Sequence, residues 1–233
     1  MKRVVTPEWL DSDSGNAEEI AASLADLQRV HRWFGGVRLF CRLVRTVAEE
    51  EHATELSLLD VAAGRADLPL EAARCLHRRC ITLRVSALDR SPKHLQNATA
   101  RDRIVGDALS LPFADGSFDL VSSSLFIHHL EPVEVRQFLG EALRVARRAV
   151  LIHDLRRHWL HWLLTYAGTP LYRSRLTRHD APASVRRAYT AEEMAAMVAS
   201  LPQIRRFIST KAYLFRMGFI LFNHSKREAG TCA

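Results

Sequence analysis

The fold is decided by one stretch of this sequence, Leu58-Leu59-Asp60-Val61-Ala62-Ala63-Gly64-Arg65-Ala66-Asp67. Its apolar half, which starts at Leu56, predicts a short buried strand, and the small residues after it predict a turn. Asp67 is expected to cap a helix that has Pro69 in its first turn and runs to about Arg78. A strand, a loop of small residues and a helix together predict an α/β fold whose loop faces a ligand.

Strands and helices alternate after this unit. The predicted strands are 56–61, 81–89, 104–105, 118–123 and 149–154, with helices opening at Ser91-Pro92 and spanning 133–146. This order predicts a mainly parallel sheet with right-handed crossovers. The segments 203–209 and 212–222 predict two closing strands that are antiparallel to each other. We therefore expect an α/β protein with a seven-stranded, mainly parallel sheet, one antiparallel strand and helices on both faces.

Helical segments precede and follow this alternating region. Apolar residues at helical spacing predict two helices before the first strand. We expect residues 1–52 to form an N-terminal helical cap, with the first 16 residues loose, and residues 53–233 to form the main domain. Residues 156–189 are expected to form a lid inserted after strand five. Thr190 and Glu193 then make a capping box, which predicts a helix to about Ser200.

Composition narrows the class of protein. The 233 residues are 48% hydrophobic, enough to bury one sizeable core. No stretch has the length of a membrane span and the first residues lack a signal-like apolar run, so we expect a cytoplasmic protein. Cys41, Cys75, Cys80 and Cys232 lack metal-ligand spacing, and no metal site is expected. The net charge of +7 suggests nucleic acid as a partner, but the basic residues are spread along the chain.

Four segments resemble the class I S-adenosylmethionine-dependent methyltransferase superfamily, clearly over residues 56–154 and loosely elsewhere. They are the opening stretch, Ala87-Leu88-Asp89-Arg90-Ser91, Gly106-Asp107-Ala108, and Leu111-Pro112-Phe113-Ala114-Asp115-Gly116-Ser117-Phe118-Asp119-Leu120-Val121 followed by His128-His129-Leu130. The resemblance implies a Rossmann-like fold and S-adenosyl-L-methionine as the cofactor.

The resemblance also implies which residues bind that cofactor. Gly64 would be the loop residue that lies closest to the cofactor, and Asp89 would accept hydrogen bonds from both ribose hydroxyls. Asp107 would meet the adenine amino group, with the amide of Ala108 facing the ring. The whole predicted set is Asp60, Ala62, Gly64, Asp89, Arg90, Asp107, Ala108 and Ser124. Two structural alternatives stay open, in which Asp60 caps the next loop and Asp89 caps the helix near Ser91.

The first loop departs from the family pattern of three glycines, because it carries Ala62, Gly64 and Ala66. Ala66 is expected only to set helix packing. A methyl group at Ala62 costs strain if the backbone there has a positive φ, which would weaken cofactor binding.

The candidates for the chemistry are His128, His129, His153 and Asp154 at the strand ends, and His31 from the helical cap. The predicted catalytic set is His128, His129 and Asp154. Histidine titrates near neutral pH and therefore suits removal of a proton from an oxygen acceptor. Asp154, beside His153, can orient a histidine or hold an acceptor hydroxyl. The structural alternatives are a plain hydrogen bond for Asp154, and one packed and one solvated histidine for the pair.

The lid predicts the class of acceptor. Its apolar residues 159–166 and seven arginines favour a small aromatic or hydrophobic acceptor that can carry an acidic phenol or carboxylate. Two alternatives for this segment are a solvated helix packed on the sheet and weak contact with a membrane surface. We expect O-methylation of a small aromatic or phenolic acceptor, as in the quinone- and polyketide-modifying branch of the family and in secondary metabolism. The rivals are an RNA methyltransferase and a non-catalytic homologue that binds the cofactor or serves as a scaffold, and the oligomeric state stays open.

Overall fold

The structure, a computed structural model, describes residues 1–10, 15–96, 98–212 and 215–223, and Cys232 lies outside them. The strands are β1 (Glu55–Val61), β2 (Thr82–Asp89), β3 (Asp102–Val105), β4 (Phe118–Ser124), β5 (Ala146–Leu155), β6 (Ile204–Ala212) and β7 (Arg216–Asn223). They form a seven-stranded sheet in the order β3-β2-β1-β4-β5-β7-β6. Within it β7 is antiparallel to both neighbours, and the other described pairs are parallel. The predicted fold class is confirmed.

The strand order reverses at β1, which lies between β2 and β4. Asp60 pairs with Ala87 on one side and with Ser122 on the other. Because parallel strands end at the same edge of a sheet, the residues that follow β1, β2 and β4 meet there. This edge is the ordinary place for a ligand in an open α/β sheet.

The described helices are α1 (Ala17–Trp33), α2 (Gly36–Glu50), α3 (Asp67–His77), α4 (Pro92–Leu95), α5 (Pro132–Val145), α6 (Trp159–Ala167), α7 (Arg175–Arg187) and α8 (Ala191–Ala199). The capping box predicted for α8 is present, since Thr190 Oγ1 accepts the Glu193 N–H and the Glu193 carboxylate accepts the Thr190 N–H. The cap predicted for α3 is wrong. Asp67 is the first helical residue, and the N-cap is Ala66, which has a left-handed backbone and no side-chain acceptor.

Two hydrophobic clusters lie on opposite faces of the sheet. One joins α2 and α3 to the sheet through residues such as Phe40, Leu43 and Leu58. The other joins α5 and α8 to the sheet through residues such as Leu59 and Phe138. Successive residues of a strand point to opposite faces, so Leu58 and Leu59 serve different clusters. The helix α2 is therefore part of a core layer.

The first ten residues, expected to be loose, are hydrogen-bonded to the segment after β5. The Val4 N–H donates to the Arg186 carbonyl at 3.1 Å. The backbone N–H groups of Trp9 and Leu10 donate to the two oxygens of Asp180 at 2.9 and 3.0 Å. The expectation is wrong because these bonds join residues more than 160 positions apart, which local sequence pattern does not reveal.

The helices α6 and α7 follow β5, where the lid is predicted. The helix α7 packs against α1 and α6. The helix α6 has no buried residue, and Trp159, Leu163 and Leu164 on it are exposed. No helix within the described ranges is long and apolar enough to cross a membrane. The lid function of this region stays a prediction.

Candidate functional site

A cavity of about 780 Å³ lies at the carboxyl edge of the sheet. Its lining includes ten of the eleven predicted site residues, namely Asp60, Ala62, Gly64, Asp89, Arg90, Asp107, Ala108, Ser124, His128 and His129. The eleventh, Asp154, has no exposed surface and lies behind His128, to which it is hydrogen-bonded. The lining residues predicted from the sequence therefore come from the ends of four different strands, which the topology brings to one edge of the sheet.

The loop after β1 has a left-handed backbone at three positions, with φ of 56° at Ala62, 52° at Gly64 and 56° at Ala66. The strain expected at Ala62 is therefore present. Ala66 shares it, so the expectation that Ala66 only sets packing is wrong. A left-handed alanine costs about 1–2 kcal/mol relative to a right-handed one, because Cβ crowds the following carbonyl oxygen. The loop keeps its shape despite this cost.

Asp60 is buried at the centre of the edge. The Ser122 hydroxyl on β4 donates to Asp60 Oδ1 at 2.5 Å, so the carboxyl bonds across the sheet and does not cap the next loop. Burial raises the pKa of Asp60 to about 7, the Ser122 hydrogen bond opposes that rise, and the nearby charge of Asp89 adds to it. A buried acid of this kind favours the approach of a cationic ligand group.

Asp89 links the loop after β1 to the loop after β2. Its Oδ2 accepts the Gly64 N–H at 2.8 Å and its Oδ1 accepts the Ser91 N–H at 2.9 Å. Burial alone would raise the pKa of Asp89, but hydrogen bonds from His94, Ser91 and Gly64 hold it below its usual value. The group stays ionised at neutral pH. A carboxylate has about four acceptor positions, so Asp89 can accept a ligand hydroxyl as well.

The remaining predicted cofactor residues lie around this pair. Asp107 is exposed, and its Oδ1 accepts the Leu109 N–H at 2.9 Å, which shapes the loop after β3 beside Ala108. Arg90 is exposed on the cavity rim. The Ser124 hydroxyl is buried and has no hydrogen-bond partner in the described chain. A buried hydroxyl of this kind needs a partner, and the cavity is where a ligand would supply it.

This donor set fits the cofactor that the resemblance implies. Asp60 can face an ammonium group, Asp89 can accept hydroxyls, and Asp107 can accept from an amino group. The Ser124 hydroxyl can donate or accept. The left-handed loop and its small side chains let a ligand come close to the backbone at Gly64. A Cβ at this position would lie 3.5 Å from the Leu24 side chain.

His128 is held from behind by Asp154. Its Nδ1 lies 2.7 Å from Asp154 Oδ1, and its backbone N–H donates to Oδ2 at 3.1 Å. Burial alone would raise the pKa of Asp154, but the neighbouring His128 ring and its hydrogen bonds lower it. Because the carboxylate is ionised and accepts at Nδ1, that nitrogen carries the proton. The other ring nitrogen, Nε2, is left to act towards the cavity.

Glu8 is a site residue that sequence reasoning missed. It is buried and lines the cavity, with its Oε1 3.7 Å from His128 Nε2 and its Oε2 3.9 Å from His129 Nε2. The Ser184 hydroxyl of α7 donates to Oε2 at 2.8 Å. Glu8 lies in the segment expected to be loose, and no motif surrounds it. Only the contact with α7 could have revealed its place.

Glu8, His128 and His129 could together hold a metal ion, since their ligand atoms lie within 4.8 Å of one another. They are the one such group in the described part of the chain. Two imidazoles and a carboxylate suit zinc or iron. The prediction of no metal rested on cysteine spacing and stays a prediction.

A second polar group lines another part of the same cavity. It consists of Arg216 at the start of β7 with His31, His161 and Tyr172. Sequence reasoning noted His31 as a candidate but missed Arg216. His153, also a candidate, is fully buried and is not part of the cavity lining; its ring lies 5.5 Å from that of His31.

Comparison with known proteins identifies the middle of the chain. Residues 59–152 match the family model described as "Methyltransferase domain". A demethylmenaquinone methyltransferase of Thermotoga maritima is 37% identical over 95 residues, which are 39% of this chain and 39% of that protein. The ubiquinone/menaquinone biosynthesis C-methyltransferase UbiE of Roseobacter denitrificans is 35% identical over 96 residues, 39% of this chain and 38% of that protein. The chain thus spans about two fifths of the length of these curated relatives.

A solved structure is similar over more of the chain. The crystal structure of an S-adenosylmethionine-dependent methyltransferase from Aquifex aeolicus has a TM-score of 0.54 and 16% identity, covering 76% of this chain and 88% of that one. At this identity the likeness shows the fold alone. The predicted resemblance to the class I superfamily is confirmed by the matched domain and by the fold together.

Proposed function

From the premise that the chain carries a methyltransferase domain on the class I fold, we propose that it transfers a methyl group from S-adenosylmethionine to a small aromatic or phenolic acceptor, with oxygen as the favoured position. One observation carries the proposal: a single cavity contains both the predicted cofactor residues and the His128 ring held by Asp154. The cofactor end and the acceptor end are then adjacent, as a displacement reaction requires.

In this proposal the protein's residues divide into two groups. Asp60, Gly64, Asp89 and the loop after β3 hold the cofactor, which supplies an electrophilic methyl group on a positively charged sulfur. His128 lies at the acceptor end of the cavity.

In this proposal His128 acts as the proton acceptor. The cofactor would supply the methyl group and would be left as S-adenosylhomocysteine, and His128 Nε2 would accept the proton that the acceptor hydroxyl loses. Asp154 stabilises the resulting imidazolium from the other side of the ring, so it is a positioning residue. His129 and Glu8 border the same space.

Carbon methylation is the second candidate. One curated relative is named a demethylmenaquinone methyltransferase, and the other a C-methyltransferase of ubiquinone/menaquinone biosynthesis. A phenolic ring suits both reactions, because loss of its hydroxyl proton activates the oxygen and the adjacent carbons alike. The two reactions differ in the product, which mass spectrometry and nuclear magnetic resonance distinguish. RNA methylation, suggested by the charge, is tested by salt-dependent binding to RNA.

Calorimetric titration with S-adenosylhomocysteine, with NAD as control, is the first experiment. We expect binding of the first compound and none of the second. Asp89→Asn should weaken binding about tenfold or more, because a charged acceptor is lost. Asp115→Asn, an exposed change outside the cavity lining, should leave binding unchanged. Failure of the wild-type protein to bind would refute the proposal and favour the scaffold reading.

The second experiment tests the chemistry with isotopically labelled cofactor and a panel of phenols. His128→Gln should lower turnover about a hundredfold or more while leaving S-adenosylhomocysteine affinity unchanged. His77→Gln, an exposed histidine on α3, is the matched control. Assays with and without a chelator show whether the group of Glu8, His128 and His129 needs a metal. Full turnover by His128→Gln would exclude the proton-transfer role.

A further inference from the structure

Arg216 is a buried arginine that lines the cavity. It opens β7, and its backbone pairs with Leu155 at the end of β5, which fixes it beside the acceptor end. Only 3% of the residue is exposed. Arginine is almost never buried this far without a paired group, because removing its charge from water is costly.

The guanidinium of Arg216 lacks such a partner within the described residues. Its Nη1 is buried without a hydrogen-bond partner in the described part of the chain, and no carboxylate there lies within 4 Å of the guanidinium. Burial lowers the pKa of Arg216 to about 10, against weaker opposing effects of Asp154 and Tyr172. Asp154 is already engaged by His128 and by the Leu155 N–H. Among the described residues, Asp154 therefore offsets the charge only from a distance, and no carboxylate pairs directly with the guanidinium.

Asp154, which acts on Arg216, is ionised, whereas two histidines and a tyrosine near Arg216 are neutral. Burial and the charge of Arg216 lower the pKa of His31 to about 3. Burial also lowers the pKa of His161 to about 4, and it raises the pKa of Tyr172. His31 Nδ1 is a further buried polar atom without a hydrogen-bond partner in the described chain. A neutral imidazole and a phenol can both donate to an anion, so this part of the cavity is arranged to receive negative charge.

We propose that Arg216 is the residue that recognises the acceptor, by pairing with a carboxylate that the acceptor carries beside the ring to be methylated. The planar guanidinium matches a carboxylate in geometry and binds it with charge-assisted hydrogen bonds. Tyr172 and His31 are neutral donors at the same subsite. This inference rests on the proposed function, since it names the substrate class of that site.

The test compares salicylate with salicylamide, which have the same ring and hydroxyl and differ in the charged group. Binding of each is measured by calorimetry to the protein saturated with S-adenosylhomocysteine. We expect the wild-type protein to prefer salicylate by about tenfold or more. Arg216→Gln should abolish the preference, and Arg216→Lys should retain part of it. Arg205→Met, an exposed arginine on the neighbouring strand β6, should leave it unchanged.

The outcomes separate this inference from the proposed function. If S-adenosylhomocysteine fails to bind, the proposed function is wrong. If it binds and the wild-type protein takes the acid and the amide equally well, the anion subsite is refuted. The comparison on the wild-type protein stands even if a variant does not fold.

A stability measurement gives a second, independent readout. A structural arginine that pairs with Asp154 would lower the melting temperature when replaced. An arginine whose partner is a ligand instead destabilises the free protein, because its charge is buried without a direct partner. Arg216→Met should therefore raise the melting temperature of the protein without ligand. The same variant should lose the stabilisation that salicylate gives to the wild-type protein. A lower melting temperature of the free variant would contradict the proposal.

Discussion

Replacing Asp60 by asparagine changes how the stability of the fold depends on pH. The carboxyl is buried with a pKa of about 7, against a model-compound value of 3.8. A raised pKa in the folded state means that the folded protein binds this proton more tightly than the unfolded chain does. The stability from the protonated group is therefore complete below about pH 3.8 and is lost as the pH rises to about 7.

The magnitude follows from the two pKa values. A difference of about three units corresponds to about 4 kcal/mol in the free energy of unfolding, of which about 2.5 kcal/mol falls between pH 5 and pH 8. Asparagine has the same shape and no proton to lose. The difference in unfolding free energy between the wild-type protein and Asp60→Asn should therefore shift by about 2.5 kcal/mol against the wild type over this range.

Urea unfolding followed by tryptophan fluorescence measures this difference at several pH values. Subtracting the two proteins at each pH removes the contribution of all other titrating groups. Ser122→Ala deletes the hydrogen bond that lowers the pKa of Asp60, so it should move the wild-type transition to higher pH. A difference that stays flat between about pH 5 and pH 8 would refute the account of Asp60 as a buried acid.

Four further substitutions test the fold. Ala62→Gly should stabilise the protein by about 0.5 kcal/mol in urea unfolding, because relief of the left-handed strain exceeds the entropy cost of glycine; Ala63→Gly, without a positive φ, should destabilise it by about 0.5–1 kcal/mol. Phe40→Ala, at a fully buried side chain, should cost about 3–5 kcal/mol by the same method. Asp119 accepts hydrogen bonds from Ser57 and Arg148, which hold its pKa down against burial. Asp119→Ala should therefore cost about 2 kcal/mol at neutral pH and progressively less as acid protonates the wild type below about pH 4, as pH-dependent unfolding would show.

The strand pattern could be predicted from sequence because its signals are local. A run such as 150–152 is apolar at every position, as buried parallel strands are. The box of Thr190 and Glu193 needs only residues three positions apart. The family motifs likewise mark the ends of strands, where the topology alone brings Asp60, Asp89 and His128 together.

The parts of the site that sequence reasoning missed depend on distant contacts. Glu8 faces His128 because its segment is hydrogen-bonded to α7, where the Ser184 hydroxyl donates to the Glu8 carboxylate. Arg216 reaches the cavity because an antiparallel strand pairs with the end of β5. The left-handed backbone at Ala66 is a different case, since alanine gives no local sign of a positive φ. Neither composition nor periodicity predicts the positions of Glu8 and Arg216 or the positive φ at Ala66.

The two clusters on opposite faces of the sheet have a consequence for how mutations combine. Leu58 and Leu59 are neighbours in the chain, but their side chains belong to different hydrophobic clusters. Truncations at Phe40 and Phe138, one per face, should have additive effects on stability, while two truncations within one cluster should not. The same strand therefore has its register specified twice, and a slip by one residue would misplace the apolar side chains of both layers at once.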